Sequence, residues 1–352
     1  MKPYDRAPSL DGALVADIEC MSSLSWPIVS TGCVIGVDLG GTKLLAGAVD
    51  PALNVHHRAT RSSRATDQAA LLDTVVGAVR EVRDAIEGAS GTVEGVGFGI
   101  PCMIDQERGT AVMSIHLPIS DLPFAAVMAE RLGLPVFVDN DANAAMLAEW
   151  RFGAAAGARD AVLLTLGTGI GGGLVVGGAL QRGSQGAGAE LGHMVVQADG
   201  PRCQGNCPNR GCLEAMASGT ALGREAQRLA RERPDSRLGE ALAAGREISG
   251  TLVTELAHDG DAAARDAVAG IAHWLGVGIC SLVNIFNPDV VVVGGGVIAA
   301  GELLLEPARA VVAERALSPA REHVRIVPAR FGAESGMLGA AALALSGLGE
   351  LV

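Results

Sequence analysis

The chain has 352 residues, 49 % of them hydrophobic, which is enough to bury the cores of two domains. Its formal net charge of −12 argues against a surface built to wrap nucleic acid, because phosphate backbones require clustered Lys and Arg. Seven cysteines, with Cys203, Cys207 and Cys212 crowded together, do not make a disulfide framework in a chain this long and point to a reducing compartment with one metal cluster.

Residues 1–32 contain Asp5, Asp11, Asp17 and Glu19 and lack a continuous apolar run. They read as an irregular extension rather than a secretory signal, and the protein is expected in the cytoplasm. From Cys33 the pattern becomes regular. Strands are expected at Cys33–Leu39, Leu44–Val49 and Leu53–Arg58, followed by a helix over 67–87 whose apolar residues, among them Leu71, Val75, Val79, Val82 and Ile86, recur at helical spacing. Val93–Ile100 is a strand, Asp121 is expected to cap a helix ending at Gly133, Pro135–Val138 is a short strand, and a helix runs from Ala142 to Phe152. Strands then recur at Ala161–Leu166, Gly173–Val176 and His193–Gln197. Helices fill 215–287, and strand Asp289–Val293, a helix after Gly301, strand Val324–Val327 and a final helix from Glu334 complete the chain. The uncharged stretch Ala161–Leu180 is long enough for a membrane span, but its glycines make it two strands around a turn, and no membrane partner is expected.

The order βββαβαβα is thus read twice. Val34–Thr42 (VIGVDLGGT) and Val162–Gly169 (VLLTLGTG) show the repeat residue by residue. The expectation is an α/β fold of duplicated units around a cleft, where ligands bind. The boundaries expected are 33–142 for a smaller lobe and 143–334 for a larger one, with residues 335–352 returning to the first.

Five segments carry chemistry. In Asp38-Leu39-Gly40-Gly41-Thr42-Lys43, paired glycines let backbone N–H groups close on phosphate oxygens, Thr42 adds a hydroxyl, and Asp38 can hold magnesium; the bland alternative is an ordinary hairpin turn. Gly167, Gly169 and Gly172 match the dinucleotide pattern G-x-G-x-x-G, but strand and turn follow rather than a helix, so Gly167, Thr168 and Gly169 read as a second phosphate turn. In Asp139-Asn140-Asp141, at a strand-to-helix junction, Asp141 becomes a general base if it faces a phosphate clamp; otherwise Asp139 or Asp141 is a helix cap. His193 with Cys203, Cys207 and Cys212 suits a closed zinc site flanked by Glu190 and Glu214, whose alternative is two solvated surface carboxylates. Finally, a buried strand ends in Gly294-Gly295-Gly296, either a nucleoside turn or a core turn.

In this order and combination the five segments resemble the ROK family (repressors, open reading frames, kinases), within the two-lobed actin-like/hexokinase, ribonuclease H-like fold, from Cys33 to the C-terminus. The resemblance implies an ATP-dependent hexose kinase, most closely a glucokinase acting on O6 of glucose, with magnesium, a structural zinc and a homodimeric assembly. Kinases for mannose, fructose or an N-acetylhexosamine are the alternatives, and a sugar-responsive regulator is the rival reading. That rival is disfavoured because only about thirty residues precede the first motif, too few and too acidic for a DNA-binding domain. By position, Asp141 resembles the catalytic base, and Asn140, Glu190, His193 and Glu214 resemble sugar contacts, with His193 turning one ring nitrogen to zinc and the other to the sugar. Asp38, Gly40, Gly41, Thr42, Lys43, Gly167, Thr168 and Gly169 resemble the ATP phosphate clamps, and Gly294, Gly295 and Gly296 the adenosine turn. Three departures stand out. The family's C-x-C-G-x-x-G-C-x-E cluster here carries two extra residues between Cys203 and Cys207 and Pro208 in place of Gly; Cys102 follows Pro101 where Gly is usual; and His116 stands where an Asn often contacts the sugar.

Overall fold

The computed structural model describes residues 32–114 and 117–350. Antiparallel strands β1 (Cys33–Leu39), β2 (Lys43–Val49) and β3 (Val55–Ser62) open it. Helix α1 (Gln68–Gly88) follows, capped by the Asp67 carboxylate accepting from the Ala70 N–H, with its predicted apolar stripe buried. After β4 (Val93–Ile100), the short strands β5 (Met103–Asp105), β6 (Thr110–Met113) and β7 (Ser120–Leu122) form a small sheet of their own. Helix α2 (Phe124–Leu132), β8 (Val136–Asn140) and α3 (Asp141–Phe152) complete the first unit. Its main sheet runs β3-β2-β1-β4-β8, with β1, β4 and β8 parallel.

The second unit repeats this plan. Strands β9 (Ala161–Leu166), β10 (Ile170–Val176) and β11 (Ala179–Leu180) are antiparallel. Five helices follow: α4 (Leu213–Ala217), α5 (Gly219–Glu232), α6 (Arg237–Ala243), α7 (Gly250–His258) and α8 (Ala262–Phe286). Then come β12 (Val290–Gly294), α9 (Glu302–Arg315), α10 (Ala320–His323), β13 (Arg325–Pro328) and α11 (Ser335–Gly347). The sheet order β11-β10-β9-β12-β13 matches the first sheet strand for strand. The registers match as well: Asp38 of β1 lies opposite Gly99 of β4, and Thr165 of β9 opposite Gly294 of β12. The repeat in the sequence is therefore a repeat in space.

Helix α11 returns to the first sheet and lies directly on β1 and β4. A Cβ at Gly36 would fall 2.0 Å from the Met337 carbonyl oxygen, and one at Gly97 would fall 1.8 Å from that of Ala340. These two glycines admit the helix backbone, and Val34, Val49, Met337, Leu338 and Ala341 close the core around it. Helix α8 is long and apolar enough to cross a membrane, yet Val268, Ile271, Leu275 and Ile279 bury it in the core of the second unit. Ala161–Leu180 is the strand-and-turn segment expected.

Four local expectations differ. Strand β3 starts at Val55, not Leu53, because the Asp50 carboxylate accepts from the Ala52 and Asn54 N–H groups and folds 50–54 into a turn. Asp121 does not cap α2: it sits on β7 at φ 50°, and the helix begins after Pro123 without a side-chain cap. The predicted strand at His193–Gln197 is a 3₁₀ turn over Leu191–His193 and a single bridge from Val195 to Cys212, and the third strand of this sheet is β11. The small β5–β7 sheet carries no clear alternation and was not expected. The extension predicted at 1–32 falls, except for Gly32, outside the described residues.

Candidate active site

The turns after β1 and β9 are both pinned from behind. The Gly40 N–H donates to the Lys43 carbonyl at 2.9 Å, and the buried Ser63 hydroxyl donates to the Gly40 carbonyl at 2.6 Å. In the second unit the Gly167 N–H donates to the Gly169 carbonyl at 2.9 Å, and the Gly219 N–H to the Gly167 carbonyl at 2.8 Å. The Ile170 N–H donates to the Glu214 carboxylate at 2.9 Å, so Glu214 braces the second turn as well as lying 3.6 Å from Cys203 Sγ. Thr42, Lys43 and Thr168 are exposed.

Asp141 is the first residue of α3, where the helix dipole favours a carboxylate. The cap itself is Asn140, whose Oδ1 accepts from the Ala142 N–H at 2.9 Å and the Asn143 N–H at 3.2 Å. Asp139 takes no part in the capping that the sequence left open, whereas Asp141 Oδ1 shares the Ala142 N–H with Asn140, at 2.9 Å. Asp139 is almost fully buried and gathers four donors: Arg182 at 2.6 Å, Gln106 at 3.1 Å, the Asn143 side chain at 3.1 Å and the Asn140 N–H at 2.8 Å. Arg182 follows β11 of the second unit and Gln106 follows β5 of the first, so this carboxylate ties both to the strand end that carries Asn140 and Asp141. Sequence reasoning missed Arg182 and Gln106, because neither belongs to a motif and each lies more than thirty positions from Asp139.

Asp38 and Asp141 line one cavity of about 180 Å³ together with Thr165, Gly294, Gly295 and Gly336. Its floor is the C-terminal ends of the parallel strands of both sheets, the usual ligand position in such folds. Burial, and then the charge of Asp141, push the Asp38 carboxyl up to about 7, with Lys43 opposing. A second cavity of about 970 Å³ opens between the Gly167–Thr168 turn, Gly219, α5, α7 and Gly296–Val297. The Gly294–Gly296 turn therefore touches both cavities. Gly295 has φ 82°, and a Cβ there would fall 2.4 Å from the Leu166 carbonyl oxygen, so the position admits only glycine.

Glu190, His193 and Glu214 form a further group, of which Glu190 lies near enough to Asp141 to feel its charge. Glu190 leaves 65 % of its side chain accessible. Partial desolvation raises its carboxyl, His193 opposes the shift, and Asp141 and Glu214 add to it. One ring edge of His193 faces Glu190, with Nε2 4.0 Å from the carboxylate, and the other faces the cysteines, with Nδ1 3.6 Å from Cys203 Sγ. Cys207 and Cys212 Sγ lie 3.9 Å apart, and the four ligand atoms all fall within 4.8 Å of one another. A tetrahedral site with Zn–S bonds of about 2.3 Å has ligand–ligand edges of ~3.8 Å, so this donor set fits zinc. Burial raises the Cys203 and Cys212 thiols, and at Cys203 the neighbouring Cys212 and Cys207 add to the rise.

A family model described as "ROK family" matches residues 34–346, nearly all of the two repeated units. The chain belongs to the ROK family. This ROK chain is 35 % identical over 319 residues to a glucokinase of Streptomyces coelicolor, covering 89 % of itself and 98 % of that protein. It is 30 % identical over 276 residues to a xylose repressor of Caldicellulosiruptor bescii, covering 78 % of itself and 67 % of the repressor. A ROK glucokinase of Streptomyces griseus, crystallised with glucose and AMPPNP, aligns with TM-score 0.79 at 36 % identity over 90 % of this chain and 100 % of that one. The fold is thus the actin-like architecture that the motifs implied.

Within the ROK chain, the predicted residues fall into three groups: Asp38, Asp141, Gly294 and Gly295 around the small cavity, Gly167, Thr168 and Gly296 along the large one, and Glu190, Glu214 and the His193–cysteine cluster, with Glu190 within reach of the Asp141 charge. Gly40, Gly41, Thr42 and Lys43 form the β1–β2 turn next to Asp38. Buried Cys102 lies close enough to Asp141 to feel its charge, and burial pushes its thiol up to about 11. His116 lies outside the described residues.

Proposed function

We propose that this ROK protein is an ATP-dependent sugar kinase that transfers the γ-phosphate of ATP to O6 of glucose. The observation that carries the reading is the position of Asp141, which shares a cavity with Asp38, Thr165 and the Gly294–Gly295 turn and whose charge also acts on Glu190. A sugar hydroxyl held by Asn140, Glu190, His193 and Glu214 then meets the phosphate at Asp141. The nucleoside occupies the large cavity, and its phosphates run past Gly294–Gly296 toward the β1–β2 and β9–β10 turns.

Asp141 accepts the proton of O6–H as that oxygen bonds to the γ-phosphorus. The bond to the ADP oxygen breaks in line, giving sugar 6-phosphate and ADP. Asp38 offers the hard oxygen ligand that magnesium prefers, and magnesium bound with the nucleotide neutralises phosphate charge. The His193 and cysteine set holds a structural zinc that fixes the imidazole facing the sugar. The two repeated units act as lobes whose approach excludes water.

The S. coelicolor relative is a glucokinase and the S. griseus one was crystallised with glucose and AMPPNP, which supports glucose as the substrate of this chain. The test is a coupled ADP-release assay with magnesium-ATP and a hexose panel, run on wild type and Asp141→Ala. Turnover on glucose that falls by about a hundredfold to ten-thousandfold in the variant supports the proposal. Turnover on mannose, fructose or an N-acetylhexosamine keeps the mechanism and moves the substrate. The xylose repressor relative motivates the rival reading, a sugar-responsive regulator, which absence of turnover on every sugar would favour.

A further inference from the structure

The segment between Cys203 and Cys207 is longer than the family pattern by two residues, and a side chain from it reaches the β9–β10 turn. Gln204 follows the first cysteine of the metal cluster and is half-buried. Its amide nitrogen donates to the Thr168 carbonyl at 3.1 Å and to the Ser218 hydroxyl at 3.2 Å. Ser218 is fully buried and caps α5 by accepting from the Ala221 N–H, so it is a fixed anchor. The Thr168 carbonyl also accepts from the Thr220 hydroxyl at 2.8 Å.

Peptide planarity gives these contacts a consequence. The carbonyl of one residue and the N–H of the next lie in one rigid plane and point in opposite directions. Holding the Thr168 carbonyl toward Gln204 and Thr220 therefore aims the Gly169 N–H the other way. Holding the Gly167 carbonyl on the Gly219 N–H aims the Thr168 N–H in the same manner. Neither the Thr168 nor the Gly169 N–H has a hydrogen-bond partner among the described residues. Two oriented, unpartnered amides in one turn are what an anionic phosphate requires.

We propose that Gln204 is a positioning residue for phosphate-donor binding: it ties the metal-binding loop to the Thr168 carbonyl and so holds the β9–β10 amides in their binding orientation. The inference rests on the kinase reading for its ligand, but the tether itself does not. The metal loop thereby acts on both substrates, on the sugar through His193 and on the donor through Gln204.

The experiment compares wild type with Gln204→Met, which keeps the length and removes the donor, and with Gln204→Ala. Steady-state kinetics are measured with ATP and with sugar varied separately, alongside bound metal per chain and hydrogen exchange of peptides spanning 166–172. One neutral hydrogen bond corresponds to a change of about three- to tenfold. Both variants should raise KM for ATP by about that factor, leave kcat and the sugar KM within about twofold, keep the metal, and exchange faster at 166–172. Unchanged exchange with unchanged KM for ATP would overturn the tether. So would an equal rise in both KM values with loss of metal, since that marks general damage to the loop. If wild type turns over no sugar at all, the kinase reading fails by itself, and faster or unchanged exchange in Gln204→Met still decides the tether.

Discussion

Replacing Asp38 with Asn should stabilise the ligand-free protein, and more so at alkaline pH. The Asp38 carboxyl titrates near 3.8 in an ordinary setting and is held up to about 7 here, by burial first and then by Asp141. Its folded pKa exceeds the unfolded one, so between these values the native state retains a proton that the unfolded chain has released. Stability therefore falls as pH rises through that window and is flat above it. Each unit corresponds to about 1.36 kcal/mol, so the full cost of ionising Asp38 approaches ~4 kcal/mol above pH 7. That figure is a ceiling, because the first turn of α11 lies against the carboxylate, where a Cβ at Gly336 would fall 2.6 Å from its carbon, and a helix N-terminus favours negative charge. Chemical denaturation without nucleotide or divalent cation, at pH 5 and pH 8, reads the effect directly. The stability gain of Asp38→Asn should grow by as much as about 3 kcal/mol between the two. Equal gains at both pH values would refute the argument that Asp38 ionises against its surroundings. Magnesium should reverse the order, stabilising wild type and not the variant.

Three further outcomes follow from the geometry. Arg182→Met leaves the buried Asp139 carboxylate without its only cationic partner among the described residues, and urea unfolding should show a loss of up to about 3–5 kcal/mol, partly restored by adding Asp139→Asn. Glu149 is fully buried and accepts from the Ala154, Arg330 and Phe331 N–H groups and the Ser335 hydroxyl at 2.9–3.2 Å; Glu149→Leu strands these donors at about 1–3 kcal/mol each and should unfold at markedly lower denaturant than Glu149→Gln. Stripping metal with a strong chelator, or Cys212→Ser, should release one zinc per chain by elemental analysis and raise KM for sugar through the freed His193 ring.

Much of this was legible in the sequence because the signals were local. The hairpin turns, the junction at Asp139–Asp141 and the His193–cysteine cluster are short motifs whose residue types dictate their geometry. The duplication was visible as a repeated strand-and-glycine turn, and the sheet register bears it out at Asp38 and Thr165. What escaped notice depends on distant chain segments. Arg182 reaches Asp139 across 43 positions, and Glu149 holds the Arg330–Ser335 segment more than 180 positions away. No period or spacing encodes such pairs. The strand expected at His193–Gln197 failed for a related reason: its residues belong to a loop wrapped around the His193–cysteine cluster rather than to a sheet face.

The glycine seam under α11 sets an order of events during synthesis. Strands β1 and β4 are complete once residue 100 has been made, but the helix that covers them begins at Ser335. At about 5–20 residues per second the ribosome needs roughly 10–50 s to make what lies between. Throughout that interval Gly36 and Gly97 leave a bare backbone groove beside Val34 and Val49. The first unit must therefore either wait in a loosened state or be shielded, and the last helix to emerge is the one that locks the earliest strands.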